Sequence, residues 1–135
     1  MGLALILDTS ALLAVLFGEP RGAEMAALMQ RADTVAMSTI NLCETLVLAA
    51  DRYEVDVATV AGLLAPFAIE QVAPDVETAT LAAIARLRHP LNLGDCFAYA
   101  LARLRNEPLL TLDEDFARTD VKLVPYSTPK RPGKK

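Results

Sequence analysis

At 135 residues the chain has the length of one domain with room for a real hydrophobic core. Apolar residues make up 53% and aromatic residues only 5%, which suits a helix-rich α/β protein and excludes a single-strand nucleic-acid binder built on stacked aromatic rings. The net charge of −4 excludes a global positive field, and Ser127 to Lys135 holds four cations and no acid, so the remainder sets nine Lys and Arg against 17 Asp and Glu, or −8.

Leu3 to Leu7 is a short continuous apolar run, as expected of a strand buried on both faces. Asp8, Thr9 or Ser10 then caps an apolar helix, Ala11 to Phe17, which Gly18-Glu19-Pro20 breaks. A second helix is predicted from Gly22 to Ala32 and a strand over Thr34 to Met37. Ser38 and Thr39 offer the next helix start, and Asn41-x-x-Glu44 also fits the spacing of a capping box. That helix runs to Tyr53, with Leu42, Cys43, Leu46, Val47, Ala50 and Tyr53 at helical spacing. Asp56 to Phe67 makes a fourth helix interrupted by Pro66, and Ile69 to Ala73 a strand closed by Pro74. Asp75 caps a helix through Leu87, the loop Arg88 to Leu93 follows, and Gly94-Asp95 starts a helix to Arg105 with Asp95 as its natural cap. Two more strands are expected, Leu109 to Leu112 and Val121 to Val124.

Short strands alternating with helices predict an α/β fold with a mostly parallel sheet of about five strands, covered by helices on both faces. No repeat or linker divides residues 1–126. Residues 127–135 read as a basic, disordered tail. Cys43 and Cys96 form no C-x-x-C pair and His89 is the single histidine, so a Cys/His zinc site is excluded and reduced thiols are expected. The apolar start lacks a basic segment and is interrupted by Asp8, and no stretch is long enough to span a bilayer, so a soluble cytoplasmic protein is expected.

Four acids carry the chemistry. Asp8, Glu44, Asp95 and Asp113 sit in I-L-D-T-S, N-L-C-E-T, N-L-G-D-C and L-T-L-D-E, each where an apolar segment meets a turn or helix start. A carboxylate beside so much hydrocarbon is costly unless solvated, paired or bound to a cation. Open α/β sheets bind ligands outside the carboxyl ends of their strands, and all four acids could face that end. Oxygen-only ligands select Mg²⁺ or Mn²⁺ over zinc, and such ions serve phosphodiester hydrolysis.

The segments L-I-L-D-T-S-A-L, N-L-C-E-T, L-N-L-G-D-C-F-A-Y-A-L-A and L-L-T-L-D-E-D-F-A-R-T-D-V together resemble PIN-domain ribonucleases, and more narrowly the VapC toxins of bacterial type II toxin–antitoxin systems. The resemblance covers Leu3 to Val124 and is most specific over Leu91 to Ala102 and Leu109 to Val121. It implies a PIN-like three-layer fold over residues 1–126 and Mg²⁺- or Mn²⁺-dependent endoribonuclease activity. It also implies a homodimer, an RNA substrate and inhibition by a small VapB-like antitoxin. The family's metal-binding acids fall on Asp8, Glu44, Asp95 and Asp113. Asp115 is expected beside them as a further or outer-sphere group, although relatives with an acidic pair directly before Phe would favour Glu114 and Asp115. Ser10 and Thr111 are candidates for orienting a carboxylate.

Several bland readings stand beside these. Arg86, Arg88 and His89 read first as a solvent-facing loop, with a phosphate-positioning patch as the alternative, and Arg103, Arg105 and Arg118 have a weaker claim of that kind. Leu12, Leu13, Leu16, Phe17, Met25, Leu28 and Met29 read mostly as core, with a groove for an antitoxin helix as the alternative. Tyr99, one turn from Asp95, reads as core. A catalytically silent binding module and a receiver-like phosphoacceptor domain remain as other functions for such a fold.

Overall fold

The first strand, β1 (Ala4–Leu7), sends successive side chains to opposite faces of the sheet, and both faces are dry. Leu5 and Leu7 enter one core with Met25, Val35, Met37 and Leu110, whereas Ile6 enters the other with Ala36, Cys96, Leu109 and Phe116. That is why the run is apolar throughout instead of alternating. The computed structural model describes residues 2–126, so the basic tail expected over 127–135 lies outside the described residues.

After β1 come α1 (Thr9–Phe17), α2 (Gly22–Arg31), β2 (Thr34–Ser38), α3 (Thr39–Tyr53) and α4 (Val57–Leu64). A single 3-10 turn (Ala65–Phe67) leads to β3 (Glu70–Val72), and then come α5 (Val76–Arg88), α6 (Leu93–Arg105), β4 (Leu109–Leu110) and a second 3-10 turn (Glu114–Arg118). Pro66 sits in the first 3-10 turn, which accounts for α4 ending at Leu64, short of the expected Phe67. The sheet is parallel, in the order β3-β2-β1-β4. Helices α1 and α2 pack on one face, α5 and α6 on the other, while α3 reaches both α1 and α6. At Gly22 the start of α2 passes so close to α1 that an added Cβ would lie 2.1 Å from the Ala14 carbonyl oxygen, so only glycine fits.

The described sheet has four strands, where about five were expected. The expected fifth, Val121 to Val124, runs parallel to β4 but joins it by one bridge, Leu109 to Leu123. The Leu109 N–H donates to the Lys122 carbonyl at 2.8 Å and the Val124 N–H to the Leu109 carbonyl at 2.9 Å. Its partner strand is only two residues long, too short to carry a ladder further. Both cysteines are free thiols, Cys43 exposed and Cys96 buried. No helix among the described residues is long and apolar enough to cross a membrane.

Strand order sets the place for chemistry. The chain winds outward from β1 through β2 to β3, then returns to lay β4 on the opposite side of β1. The switch point therefore lies between β1 and β4, and a crevice opens beyond their carboxyl ends. Asp8 follows the last residue of β1, and Thr111 the last residue of β4.

Candidate active site

Asp8 is both the cap of α1 and the most buried acid of the cleft, only 1% exposed. Its backbone is extended, which turns the carboxylate back over the helix start to accept the Ala11 N–H at 3.0 Å. The Ser10 hydroxyl lies 2.8 and 3.0 Å from its two oxygens, and the Thr111 hydroxyl donates to Oδ2. Ser10 Oγ in turn accepts from the Leu112 N–H at 3.0 Å, and Thr111 Oγ1 from the Asp113 N–H at 3.0 Å. The two hydroxyls thus fix the Asp8 carboxylate to the segment after β4. Burial nevertheless pushes its pKa to about 6, against the lowering effect of these hydrogen bonds.

Glu44 comes from α3, which is capped by Ser38 rather than Asn41: the Ser38 hydroxyl accepts the Ile40 N–H at 3.2 Å. The expected Asn41–Glu44 capping box does not form, because Asn41 already lies inside the helix and is wholly buried. Its amide donates to Glu44 Oε1 at 3.1 Å, to the Thr9 hydroxyl at 3.3 Å and to the Gly94 carbonyl at 3.2 Å. Thr9 donates to the same Glu44 oxygen at 2.8 Å. One buried amide therefore ties together α1, α3 and α6 and holds Glu44 in place. A Cβ on Gly94 would lie 2.1–2.3 Å from the Glu44 carboxylate, so any larger residue here would push that carboxylate out of its place.

Asp95 is not the cap of its helix. Asn92 takes that role, accepting the Asp95 N–H at 2.9 Å, and α6 begins at Leu93. The shift leaves the Asp95 carboxylate in the first turn, free of capping and close to the other acids. Burial first, then the charges of Asp113, Asp8 and Glu44, raise its pKa to about 7. Asp113 caps the 3-10 turn by accepting the Asp115 N–H at 2.9 Å, and its side chain remains partly exposed.

Glu44, Asp95, Asp113, Ser10 and Asn92 line one cleft of about 270 Å³, and Asp8 contributes its charge from within the adjoining wall. Asp115 and Glu114 are not among its lining residues, and Glu114 faces a separate depression beside Arg21 and Tyr126. Sequence reasoning missed Thr9, Asn41, Glu19 and Arg52. Arg52 lies eight residues after Glu44 and Leu48 lies four after it, so all three fall on one face of α3 and line the cleft, a spacing that was readable. The Arg52 guanidinium stands 4.0 Å from Glu19.

The donors are all oxygens, and no thiol or imidazole lines the cleft. Such a set, with two carboxyls held above their ordinary pKa by burial and mutual repulsion, suits a hard divalent cation. Among the described residues no three acidic, imidazole or thiol groups close around one point. An ion here would therefore rely on few carboxylates and keep much of its water, as Mg²⁺ commonly does.

Leu12, Leu13, Met25 and Met29 are core residues, as expected, and Leu16, Phe17 and Leu28 are partly buried, so the alternative of a partner groove is left with few of these side chains. Tyr99 is core, as expected.

The family model for the PIN domain matches residues 5–122. Ribonuclease VapC42 of Mycobacterium tuberculosis is 33% identical over 127 residues, covering 87% of this chain and 97% of that protein. Ribonuclease VapC of Mycolicibacterium smegmatis is 34% identical over 128 residues, covering 89% and 99%. Among solved structures, a chain of a toxin–antitoxin complex from Klebsiella pneumoniae superposes with a TM-score of 0.70 at 26% identity, covering 92% of this chain and 99% of that one. The Mycobacterium tuberculosis toxin VapC20, which cleaves the sarcin–ricin loop, has a TM-score of 0.76 at 21% identity over 89% and 98%, a likeness of fold.

Proposed function

Because the chain belongs to the PIN-domain family, and within it to the VapC ribonucleases, we propose that it is a metal-dependent endoribonuclease, the toxin of a toxin–antitoxin pair. Mg²⁺ or Mn²⁺ is its cofactor, and Asp8, Glu44, Asp95 and Asp113 are the residues that would hold it. The observation that supports this reading is that Glu44, Asp95 and Asp113, from three separate elements, line one cleft at the switch point with the buried Asp8 beside it, although no three of these acids close around one point.

When bound, a divalent ion supplies Lewis acidity toward water and toward a phosphodiester oxygen. The chain's own groups do the rest. Ser10 and Thr111 hold Asp8 in one orientation, and Thr9 and Asn41 do the same for Glu44, so little reorganisation is needed when the substrate arrives. Asp95, whose carboxyl burial and the other acids hold near a pKa of about 7, is the acid whose charged form a bound cation would favour most, and Asp113 lines the same cleft. Asp115 serves at most from outside that shell. Arg52 is the one guanidinium among the cleft's lining residues and offers a counter-charge to a phosphate entering among acids.

The pairing with a small VapB-like antitoxin extends from the toxin–antitoxin complex among the structural relatives, and a homodimer is proposed with it. The test is cleavage of RNA by the purified chain, freed of any inhibitor, with Mg²⁺ or Mn²⁺ and with EDTA. Cleavage should require the metal and fall by roughly a hundredfold or more in Asp8→Asn and Asp95→Asn. A wild-type chain that cuts no RNA with either ion sinks the proposal.

A further inference from the structure

A second cleft, of about 510 Å³, opens between the end of α5, the middle of α6 and the end of the 3-10 turn after Asp113. Its floor is apolar, and its rim carries Arg88, His89, Arg103 and Arg118. These cations are not equivalent. Arg103 is braced: its guanidinium donates to the Tyr99 hydroxyl at 3.0 Å and pairs with Asp120, which also accepts from Tyr99 at 2.6 Å. Arg88 and Arg118 are exposed and have no carboxylate partner among the described residues, although acids outnumber cations along the chain. Two guanidiniums left unpaired across a cleft, one on each wall, make a site for an anion with two faces to grip, as a phosphate has.

The position says which anion. Two of the three elements that form the second cleft, α6 and the 3-10 turn, also form the acidic one, and α5, which carries Arg88, packs against α6. Helix α6 carries Asp95 into the acidic cleft and Tyr99, one turn or about 6 Å along, into the basic one. Asp113, which caps the 3-10 turn, lies in the first cleft, and Arg118, the turn's last residue, lies in the second, about 10 Å further on at the usual rise. A polynucleotide cut at the acids would pass the arginines within a few nucleotides.

We propose that this cleft is a backbone-phosphate subsite, in which Arg88 and Arg118 grip a phosphate of the RNA flanking the cleaved bond while Arg103 is held in reserve by Asp120. The inference rests on the ribonuclease reading and deepens it. It makes Arg88 and Arg118 positioning residues, remote from the reacting atoms.

The test separates binding from cleavage. In an Asp95→Asn background, the affinity for a short single-stranded RNA is measured against salt, with and without Arg88→Ala plus Arg118→Ala. The double change should weaken binding about tenfold near 0.1 M salt and make the slope of log affinity against log salt shallower by about 1. In the otherwise wild-type chain it should raise KM and leave kcat within about twofold. Arg31→Ala, an exposed cation on α2 that lines neither cleft, should change neither quantity. Unaltered affinity and slope in the double variant overturn the proposal, as does an equal loss in Arg31→Ala, which would mean a general charge effect. Cleaving RNA with no dependence on Arg88 and Arg118 sinks the subsite alone; salt-sensitive binding through them without cleavage sinks the ribonuclease reading and leaves the subsite standing.

Discussion

Asp95 holds its carboxyl near a pKa of about 7 because it is half-buried among three other acids, whereas in the unfolded chain it titrates near 3.8. Below pH 3.8 both states are protonated and the group costs nothing. Between 3.8 and 7 the folded state keeps a proton that the unfolded state has released, so stability is lost progressively as pH rises through that window. Asp8, raised to about 6, acts in the same direction over a narrower range. Without divalent metal, Asp95→Asn should therefore be more stable than wild type at pH 8, by on the order of 1 kcal/mol after solvent screening in the open cleft, and equal to it near pH 3.5. Thermal melts in EDTA at the two pH values check this; a variant less stable at pH 8 refutes it. The acids themselves were legible as sequence, since each interrupts an apolar run. Asn41 and Gly94 were not: one is an amide inside a helix and the other a glycine beside an expected cap, and their importance lies in contacts with Glu44 that exist only after folding.

Helix α6 shows how a cap three residues from its expected place changes the chemistry of a site. Gly94-Asp95 looked like a start because Asp is a strong cap, but Asn92 is equally good and lies where the loop turns. Had Asp95 capped the helix, its oxygens would have been committed to backbone N–H groups and its pKa held down. Asn92→Ala should lower stability by about 1 kcal/mol and also reduce cleavage, because the first turn carrying Asp95 frays, whereas Asn92→Ser should restore both. Melting curves and single-turnover cleavage of the two variants decide it, and equal behaviour of Ala and Ser removes the cap from the account. The other elements were readable to within a few residues because their physical cues are local: apolar runs for β1 and β2, Asp75 as a cap, Pro66 as a stop. The Val121 to Val124 segment has the right composition for a strand and fails as one only because its neighbour is too short to pair with it.

The order β3-β2-β1-β4 is a property of the whole chain that no local pattern reveals, yet it brings Glu44, Asp95 and Asp113 into one cleft with Asp8 in the adjoining wall. It also makes the cleft a property of the folded state alone, since Asp8 and Asp113 stand more than a hundred residues apart in sequence. A divalent ion that binds there must then stabilise the fold by mass action: at a hundred times its Kd, about 2.7 kcal/mol, or several degrees in Tm. Protons compete for the same oxygens. At pH 5.5 Asp8 and Asp95 both lie below their folded pKa values, of about 6 and about 7, so an ion must displace protons to bind. The rise in Tm on adding Mg²⁺ or Mn²⁺ should therefore be large at pH 8, shrink at pH 5.5 and be much reduced at both in Asp95→Asn. Calorimetry of wild type and variant with and without each ion makes the comparison. A rise independent of pH, or one that survives undiminished in the variant, means that the ion binds elsewhere and the four acids are not its site.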